Sequence, residues 1–221
     1  MNVHKSEELG VIYMARHGET AWSRTGQHTG LTDLPLTEQG ERNARRLGER
    51  LKGLTFAKVF TSPLRRAMRT CDLAGFGPVA EIDPDLLEWD YGEYDGRATA
   101  EIRAERPDWS LFRDGCPGGE SPQQIAARAD RVARRLRAEP EDVLLFSSRH
   151  FMQALASRWI GVDPAAVAES LMLSTSSLSA IGYIDSLSQP AIRLWNETHY
   201  LMASNEPETV TKCIHQRSAD S

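Results

Sequence analysis

The sequence contains no long apolar run. Its uninterrupted apolar stretches are far shorter than the roughly 18 residues that suggest a membrane-spanning helix. The chain also does not open with the basic and apolar pattern of a secretory signal peptide. Its three cysteines, Cys71, Cys116 and Cys213, are odd in number and far apart, which argues against a disulfide framework and against a zinc site. Together these absences predict a cytoplasmic protein that does not bind membranes.

Lysine is also scarce, since only four of the 26 basic residues are lysines. This bias towards arginine reflects genome base composition better than anion binding, so only arginines with a supporting local context count as evidence. The net charge of −5 disfavours nucleic acid as a partner. No repeat and no linker rich in Gly, Ser or Pro divides the chain. We therefore expect a single domain over residues 1–221, with its core at about 10–200 and flexible ends at 1–8 and 204–221.

Apolar runs alternate with helical patterns along the chain, which is typical of a parallel sheet covered by helices. We predict a single-domain α/β fold, a three-layer sandwich with a mostly parallel sheet, helices on both faces and an antiparallel edge strand. The predicted strands lie within residues 10–15, 58–63, 143–148, 177–184 and 191–196, and the predicted helices within 37–51, 64–73, 118–139 and 151–160.

The clearest helix signal follows Ser121. This serine is a predicted N-cap, Pro122 suits the first turn, and Gln124 completes a capping box. Apolar residues recur at helical spacing after it and predict one buried face. They are Ile125, Ala129, Val132 and Leu136.

Ligands of open α/β sheets bind outside the carboxyl ends of the strands, so the residues that leave each strand are candidates for a site. Several of them are arginines and histidines. Guanidinium groups match phosphate oxygens, and nearby positive charge favours the neutral, nucleophilic form of an imidazole. Any one arginine could instead cap a helix or pair with an acid, but convergence from three strand ends favours a phosphate site. The residues are Arg16, His17, Ser62, Arg65, Arg66, Ser147, Ser148, Arg149 and His150, with Glu88 in a fourth loop.

Five blocks of the sequence carry a family resemblance. "ARHGETAW" resembles the Arg-His-Gly signature of the histidine phosphatase superfamily, the phosphoglycerate mutase-like proteins. The segments "TGLTDLPLTEQGERNA", "TSPLRRAMRT", "LLEWDYGEYDG" and "GCPGGES" follow in the family's order. The resemblance spans about residues 10–200. The sequence of these segments is similar to the branch of the family that includes sedoheptulose-bisphosphatase and broad-specificity acid phosphatases. The resemblance implies a phosphoric monoester hydrolase that acts on a small phosphorylated metabolite.

The resemblance also implies residue roles. His17 would be the nucleophile that forms a phosphohistidine, and Arg16 and Arg66 would hold the phosphoryl oxygens. Glu88 would protonate the leaving group and then activate water. Its apolar neighbours in "LLEWDY" suit the protonated form that an acid needs.

Further phosphate contacts are implied at Ser23, Thr29 and Gly30, through a hydroxyl or a backbone N–H. The resemblance implies no metal ion and no other cofactor. The sequence does not fix the oligomeric state and leaves a homodimer open.

The segment "FSSRHF" departs from the family, in which this strand ends in Ser-His-Gly, often followed by a second histidine. Ser148 stands where the second catalytic imidazole is expected, and we expect it to contact phosphate only weakly. Arg149 replaces the glycine, where it would supply charge, crowd the pocket or point elsewhere. His150 matches the accessory histidine, for which we expect a structural role.

Three functions remain open at this point. The departure predicts a phosphatase that is weakened relative to its family. The alternatives are a non-catalytic or repurposed member that binds a phosphate or carboxylate ligand, or an inactive variant. A phosphoglycerate mutase is disfavoured, because the chain lacks the insertion with paired arginines that such mutases carry between Glu88 and the capped helix.

Overall fold

Six strands form one sheet within residues 9–202, the part of the chain that this computed structural model describes. The strands are β1 (Ile12–Arg16), β2 (Lys58–Thr61), β3 (Ala80–Ile82), β4 (Val143–Ser147), β5 (Leu178–Tyr183) and β6 (Pro190–Glu197). Their order across the sheet is β3-β2-β4-β1-β5-β6. The first four are parallel, whereas β5 is antiparallel to both β1 and β6. This confirms the predicted α/β class; the flexible ends predicted at 1–8 and 204–221 lie outside the described residues.

Eight α-helices cover this sheet in the described range. No helix between residues 9 and 202 is long and apolar enough to cross a bilayer. The helices are α1 (Ala21–Thr25), α2 (Glu38–Leu51), α3 (Arg65–Leu73), α4 (Thr99–Glu105), α5 (Leu111–Asp114), α6 (Pro122–Leu136), α7 (Arg149–Trp159) and α8 (Pro164–Val167).

The central strand β4 explains how the two apolar layers are arranged. Its side chains alternate between the faces of the sheet. Val143 and Leu145 belong to the core that also contains residues of α6 and α7, whereas Leu144 and Phe146 belong to the core formed with α2 and α3. Because both faces are covered, β4 is an unbroken apolar run rather than an alternating one.

Helix α6 confirms its predicted cap. Ser121 Oγ accepts a hydrogen bond from the Gln124 backbone N–H at 3.2 Å, and the Gln124 side chain accepts from the Ser121 N–H at 2.7 Å. The predicted apolar face is fully buried. It comprises Ile125, Ala129, Val132 and Leu136.

Helix α7 begins two residues earlier than predicted. Ser148 is its N-cap residue, with an extended backbone at φ −120° and ψ 167°, but the Ser148 side chain makes no capping hydrogen bond. Arg149 and His150 therefore belong to the first helical turn and not to a loop before it.

A close backbone contact fixes the loop that follows β1. A Cβ on Gly40 would lie 2.3 Å from the carbonyl oxygen of Glu19, and one on Gly18 would lie 2.7 Å from that of Gly40. Thr37 Oγ1 donates to Glu19 Oε1 at 2.7 Å and accepts from the Gly40 N–H at 3.0 Å. The start of α2 thus holds the segment that carries His17.

We predict that Gly40→Ala lowers the free energy of unfolding by about 1–3 kcal/mol, because the added methyl overlaps backbone that cannot easily move. Alanine would otherwise stabilise a helix by up to about 1 kcal/mol relative to glycine. Urea denaturation measures the difference. Gln39→Ala on the exposed side of α2 is the control and should stay within about 0.5 kcal/mol of the parent. Equal stability of the two variants would contradict the tight contact.

Candidate active site

A cavity of about 270 Å³ lies beside the carboxyl ends of β1 and β4. Most of the site residues predicted from the sequence line it: Arg16, His17, Ser23, Thr29, Glu88, Arg149 and His150. Gly30, Arg66 and Ser148 are not among the lining residues. Trp109, Leu111 and Phe112 supply an apolar side.

His17 follows the end of β1 and is held as a neutral imidazole, the form that a nucleophile requires. Its side chain is buried, and its backbone N–H donates to the carbonyl of Ser147 at 3.0 Å, which ties it to the end of β4. Nδ1 lies 2.8 Å from the Gly18 carbonyl oxygen. A carbonyl can only accept, so Nδ1 carries the proton and Nε2 keeps its lone pair. Burial, followed by the charges of Arg66 and Arg16, holds the pKa of His17 well below its ordinary value of 6.5.

Arg16 is a half-buried cation at the cavity wall. Its Nη1 donates to the carbonyl of Leu173 at 2.5 Å, while its Nε is buried and has no hydrogen-bond partner among the described residues. Burial and then the charge of Arg149 lower the pKa of Arg16 to about 10. Arg16 is therefore still a cation at neutral pH and has N–H groups left for a ligand.

Arg66 is completely buried, and its guanidinium is anchored by backbone. Nη1 donates to the carbonyl of Thr32 at 3.0 Å, and Nη2 donates to those of Thr29 and Gly30 at 2.9 and 2.8 Å. Both terminal nitrogens of the guanidinium, which we expected to hold phosphate oxygens, are thus bonded to the protein's own backbone. Its Nε has no partner in the described chain. Its charge nevertheless acts on His17.

The three smaller residues predicted to contact phosphate differ in availability. The Gly30 N–H donates to Asp95 Oδ1 at 2.7 Å, so Gly30 contributes its carbonyl to Arg66 rather than an N–H to the cavity. Ser23 Oγ donates to the Thr20 carbonyl at 3.0 Å and accepts from the Thr20 N–H at 2.8 Å. Ser23 and Thr29 do line the cavity.

Glu88 replaces the missing side-chain cap of α7. Its Oε1 accepts from the backbone N–H groups of Trp89 and Phe151, both at 2.9 Å, and its Oε2 accepts from that of His150 at 3.1 Å. The carboxylate therefore occupies the positive N-terminal end of the helix. The sequence predicted an apolar setting for Glu88; the side chain is indeed buried, but backbone donors surround its carboxylate.

Ser148 and Arg149 differ sharply in where their side chains lie. Ser148 Oγ is buried without a hydrogen-bond partner in the described range and does not line the cavity. Arg149 does line it, and the charge of Arg149 helps to lower the pKa values of Arg16, His28 and His150. Of the alternatives for Arg149, the structure therefore favours a cation inside the cavity over a side chain that points elsewhere.

Tyr91, His28 and Gln153 line the cavity but were missed as site residues from the sequence. Tyr91 lies within the segment "LLEWDYGEYDG" and His28 directly precedes "TGLTDLPLTEQGERNA". Their position in these family-like segments is the sequence signal that could have identified them. The Tyr91 hydroxyl lies 2.5 Å from His150 Nδ1. Burial raises the pKa of Tyr91 well above 10, and burial with the Arg149 charge lowers that of His150 well below 6.5. Both groups are therefore neutral, and they share one hydrogen bond whose direction depends on the His150 tautomer.

Comparison with known proteins identifies the family. The histidine phosphatase superfamily (branch 1) matches residues 12–198, and the chain belongs to this family. This confirms the family and the fold that the five sequence blocks predicted.

Two relatives and one solved structure illustrate the similarity. An acid phosphatase of Mycobacterium tuberculosis is 40% identical over 185 residues, which cover 82% of this chain and 90% of the relative. Sedoheptulose 1,7-bisphosphatase of Saccharomyces cerevisiae is 37% identical over 183 residues, 67% of each chain. The solved structure of a Mycobacterium tuberculosis open reading frame product superimposes with a TM-score of 0.81 at 36% identity, covering 86% of this chain and 98% of that one.

The lowered pKa of His17 leads to a direct prediction. Because protonation of His17 is displaced to a pH far below 6.5, its imidazole should stay neutral on acidification from pH 7.5 to 5.5. An imidazole with an ordinary pKa would be about 90% protonated at pH 5.5. Nuclear magnetic resonance of isotope-labelled histidine, assigned with a His17→Gln variant, measures this. The urea-unfolded protein is the control, and a folded-state midpoint above pH 6 would contradict the prediction.

Proposed function

We propose that this chain is a phosphatase that hydrolyses small phosphate monoesters through a phosphohistidine at His17. The observation that carries the proposal is the buried, neutral imidazole of His17, whose unprotonated Nε2 lies in the field of two guanidinium groups. Family membership and the phosphatase names of the relatives support the same reaction class.

The proposed reaction has two displacements at phosphorus. His17 Nε2 attacks the phosphorus, the bond to the ester oxygen breaks, and Glu88 gives its proton to the departing alkoxide. Water then attacks the phosphohistidine, Glu88 takes a proton from that water, and the N–P bond breaks to release phosphate and restore His17. Arg16 and Arg66 stabilise the charge on the transferred phosphoryl oxygens.

The backbone bonds of Glu88 bear on this role. Three backbone N–H groups hold the Glu88 carboxylate in the cavity wall. None of these donors belongs to a flexible side chain. A fixed proton donor and acceptor loses little freedom when the substrate binds, which is what positioned acid and base catalysis needs.

The substrate that we propose is a sugar phosphate or a similar small metabolite, and the proposed compartment is the cytoplasm. Ser148 offers the phosphoryl group no imidazole donor, so we expect turnover below that of members with a histidine there. The second candidate function is a phosphate or carboxylate binder without turnover. Ser148 favours it too, because Ser148 is not among the residues that line the cavity.

We predict that His17→Ala abolishes phosphate release from p-nitrophenyl phosphate and abolishes phosphoenzyme formation. With alanine at this position, the phosphoryl group would lose the acceptor that the proposed reaction assigns to it. Steady-state rates and acid-quenched labelling measure the two effects, with thermal unfolding as a check on folding. Residual turnover within about tenfold of the parent would contradict the assignment of His17.

We also predict that the double variant Ser148→His/Arg149→Gly raises turnover of p-nitrophenyl phosphate by roughly 10–10³-fold, the scale of one donor to the transition state. The change restores an imidazole at the end of β4 and removes the bulky neighbour. His150→Ala in the parent is the comparison and should change the rate much less. If the double variant were no faster while His150→Ala lost activity, His150 would be the working imidazole.

A further inference from the structure

The first two turns of α7 present a pair of polar side chains to the cavity. Arg149 and Gln153 are four residues apart and therefore lie on one side of the helix, one turn from each other. Both line the cavity. The roles assigned to His17, Glu88 and Arg66 leave this pair unused.

Gln153 is completely buried and only half satisfied. Its Nε2 donates to the carbonyl of Leu171 at 2.6 Å, which fixes the orientation of the amide. Its Oε1 is buried and accepts no hydrogen bond from any described residue. Buried polar atoms are nearly always paired, so an orphan acceptor in a cavity wall indicates a donor on a ligand, such as a hydroxyl.

Arg149 brings a cation to the same wall. Its Nε is buried without a partner in the described part of the chain, as is that of Arg16. Arg16 and Arg149 line one cavity and repel each other, and the Glu88 carboxylate offsets only part of this repulsion. Glu88 accepts the three backbone N–H groups, and Glu169 accepts from the Ser110 hydroxyl at 2.6 Å. A second anion on the ligand would relieve this repulsion.

We propose that Arg149 and Gln153 form a second subsite, in which Arg149 binds an anionic group of the substrate and Gln153 Oε1 accepts a hydroxyl proton. The preferred substrates are then phosphate esters with a second anion, either a carboxylate or another phosphate. This inference rests on the proposed function, since it places the reacting phosphoryl group beside His17. The subsite is a property of this chain, because Arg149 stands where the family-like pattern has glycine.

Isothermal titration calorimetry on a His17→Asn background tests the subsite without turnover. Fructose 1,6-bisphosphate is compared with fructose 6-phosphate, and 3-phosphoglycerate with glycerol 3-phosphate, so that the members of each pair differ in the second anion. We expect the doubly anionic member of at least one pair to bind at least about tenfold more tightly, the scale of a hydrogen bond to a charged group. The pair with the larger ratio identifies the anion.

Adding Arg149→Met should reduce that ratio to about two- or threefold, and Arg149→Lys should retain part of it. Arg134→Met is the matched control, since Arg134 is exposed on α6, and it should leave the ratio unchanged. Gln153→Met should weaken 3-phosphoglycerate binding by about 3–10-fold, with thermal unfolding as a check on folding. Unchanged affinity in Gln153→Met would contradict the proposed hydrogen bond between Gln153 Oε1 and a substrate hydroxyl.

The subsite is overturned if neither pair shows a preference, if the preference survives Arg149→Met, or if that variant weakens both members equally. The last result would place Arg149 at the reacting phosphoryl group instead. Failure of the proposed function gives a different result: the protein with His17 intact would release no phosphate from any of the four esters, while the binding preference and its loss in Arg149→Met would persist.

Discussion

The Glu88 carboxylate holds the first turn of α7 in place, and much of the cavity wall depends on that contact. Its bonds to the N–H groups of His150 and Phe151 join the loop after β3 to the end of β4. They also fix the direction in which α7 leaves the sheet, and with it the positions of Arg149 and Gln153. One buried carboxylate therefore acts both as a helix cap and as a group of the candidate site.

Burying the positive charges of Arg16 and Arg66 near the carboxyl edge of the sheet has a free-energy cost. Arg16 and Arg66 are desolvated, and the pKa of each is lowered by burial. Backbone carbonyls compensate part of that cost: one accepts from Arg16 and three accept from Arg66. The Nε of each arginine has no partner within residues 9–202. Unpaired donors that are already in place suit an anion site, because no reorganisation is required when a phosphoryl group enters. Burial and, after it, these same charges lower the pKa of His17 and keep its imidazole neutral.

Sequence reasoning succeeded where the signal was local. The apolar run of β4 and the capping box at Ser121 are written in adjacent residues, so the sheet and α6 could be predicted. The start of α7 could not, because its cap comes from Glu88, about 60 residues away. Likewise, the carbonyl partners of Arg66 and the Gly30 to Asp95 bond depend on how loops fold against each other. Strand β3 was missed because it has three residues at a sheet edge, too few for a periodic pattern.

The two unusual residues after β4 have opposite consequences for chemistry. Under the proposed function, Ser148 offers the reacting phosphoryl group no imidazole donor, which would slow the chemical step for every substrate by a similar factor. Arg149 adds a cation further along the cavity, which helps only those substrates that carry a second anion. A uniform loss combined with a selective gain narrows specificity, since the best substrates recover binding energy that simple esters cannot. Under the proposed function, the segment "FSSRHF" would therefore change which esters are accepted as well as lower the rate.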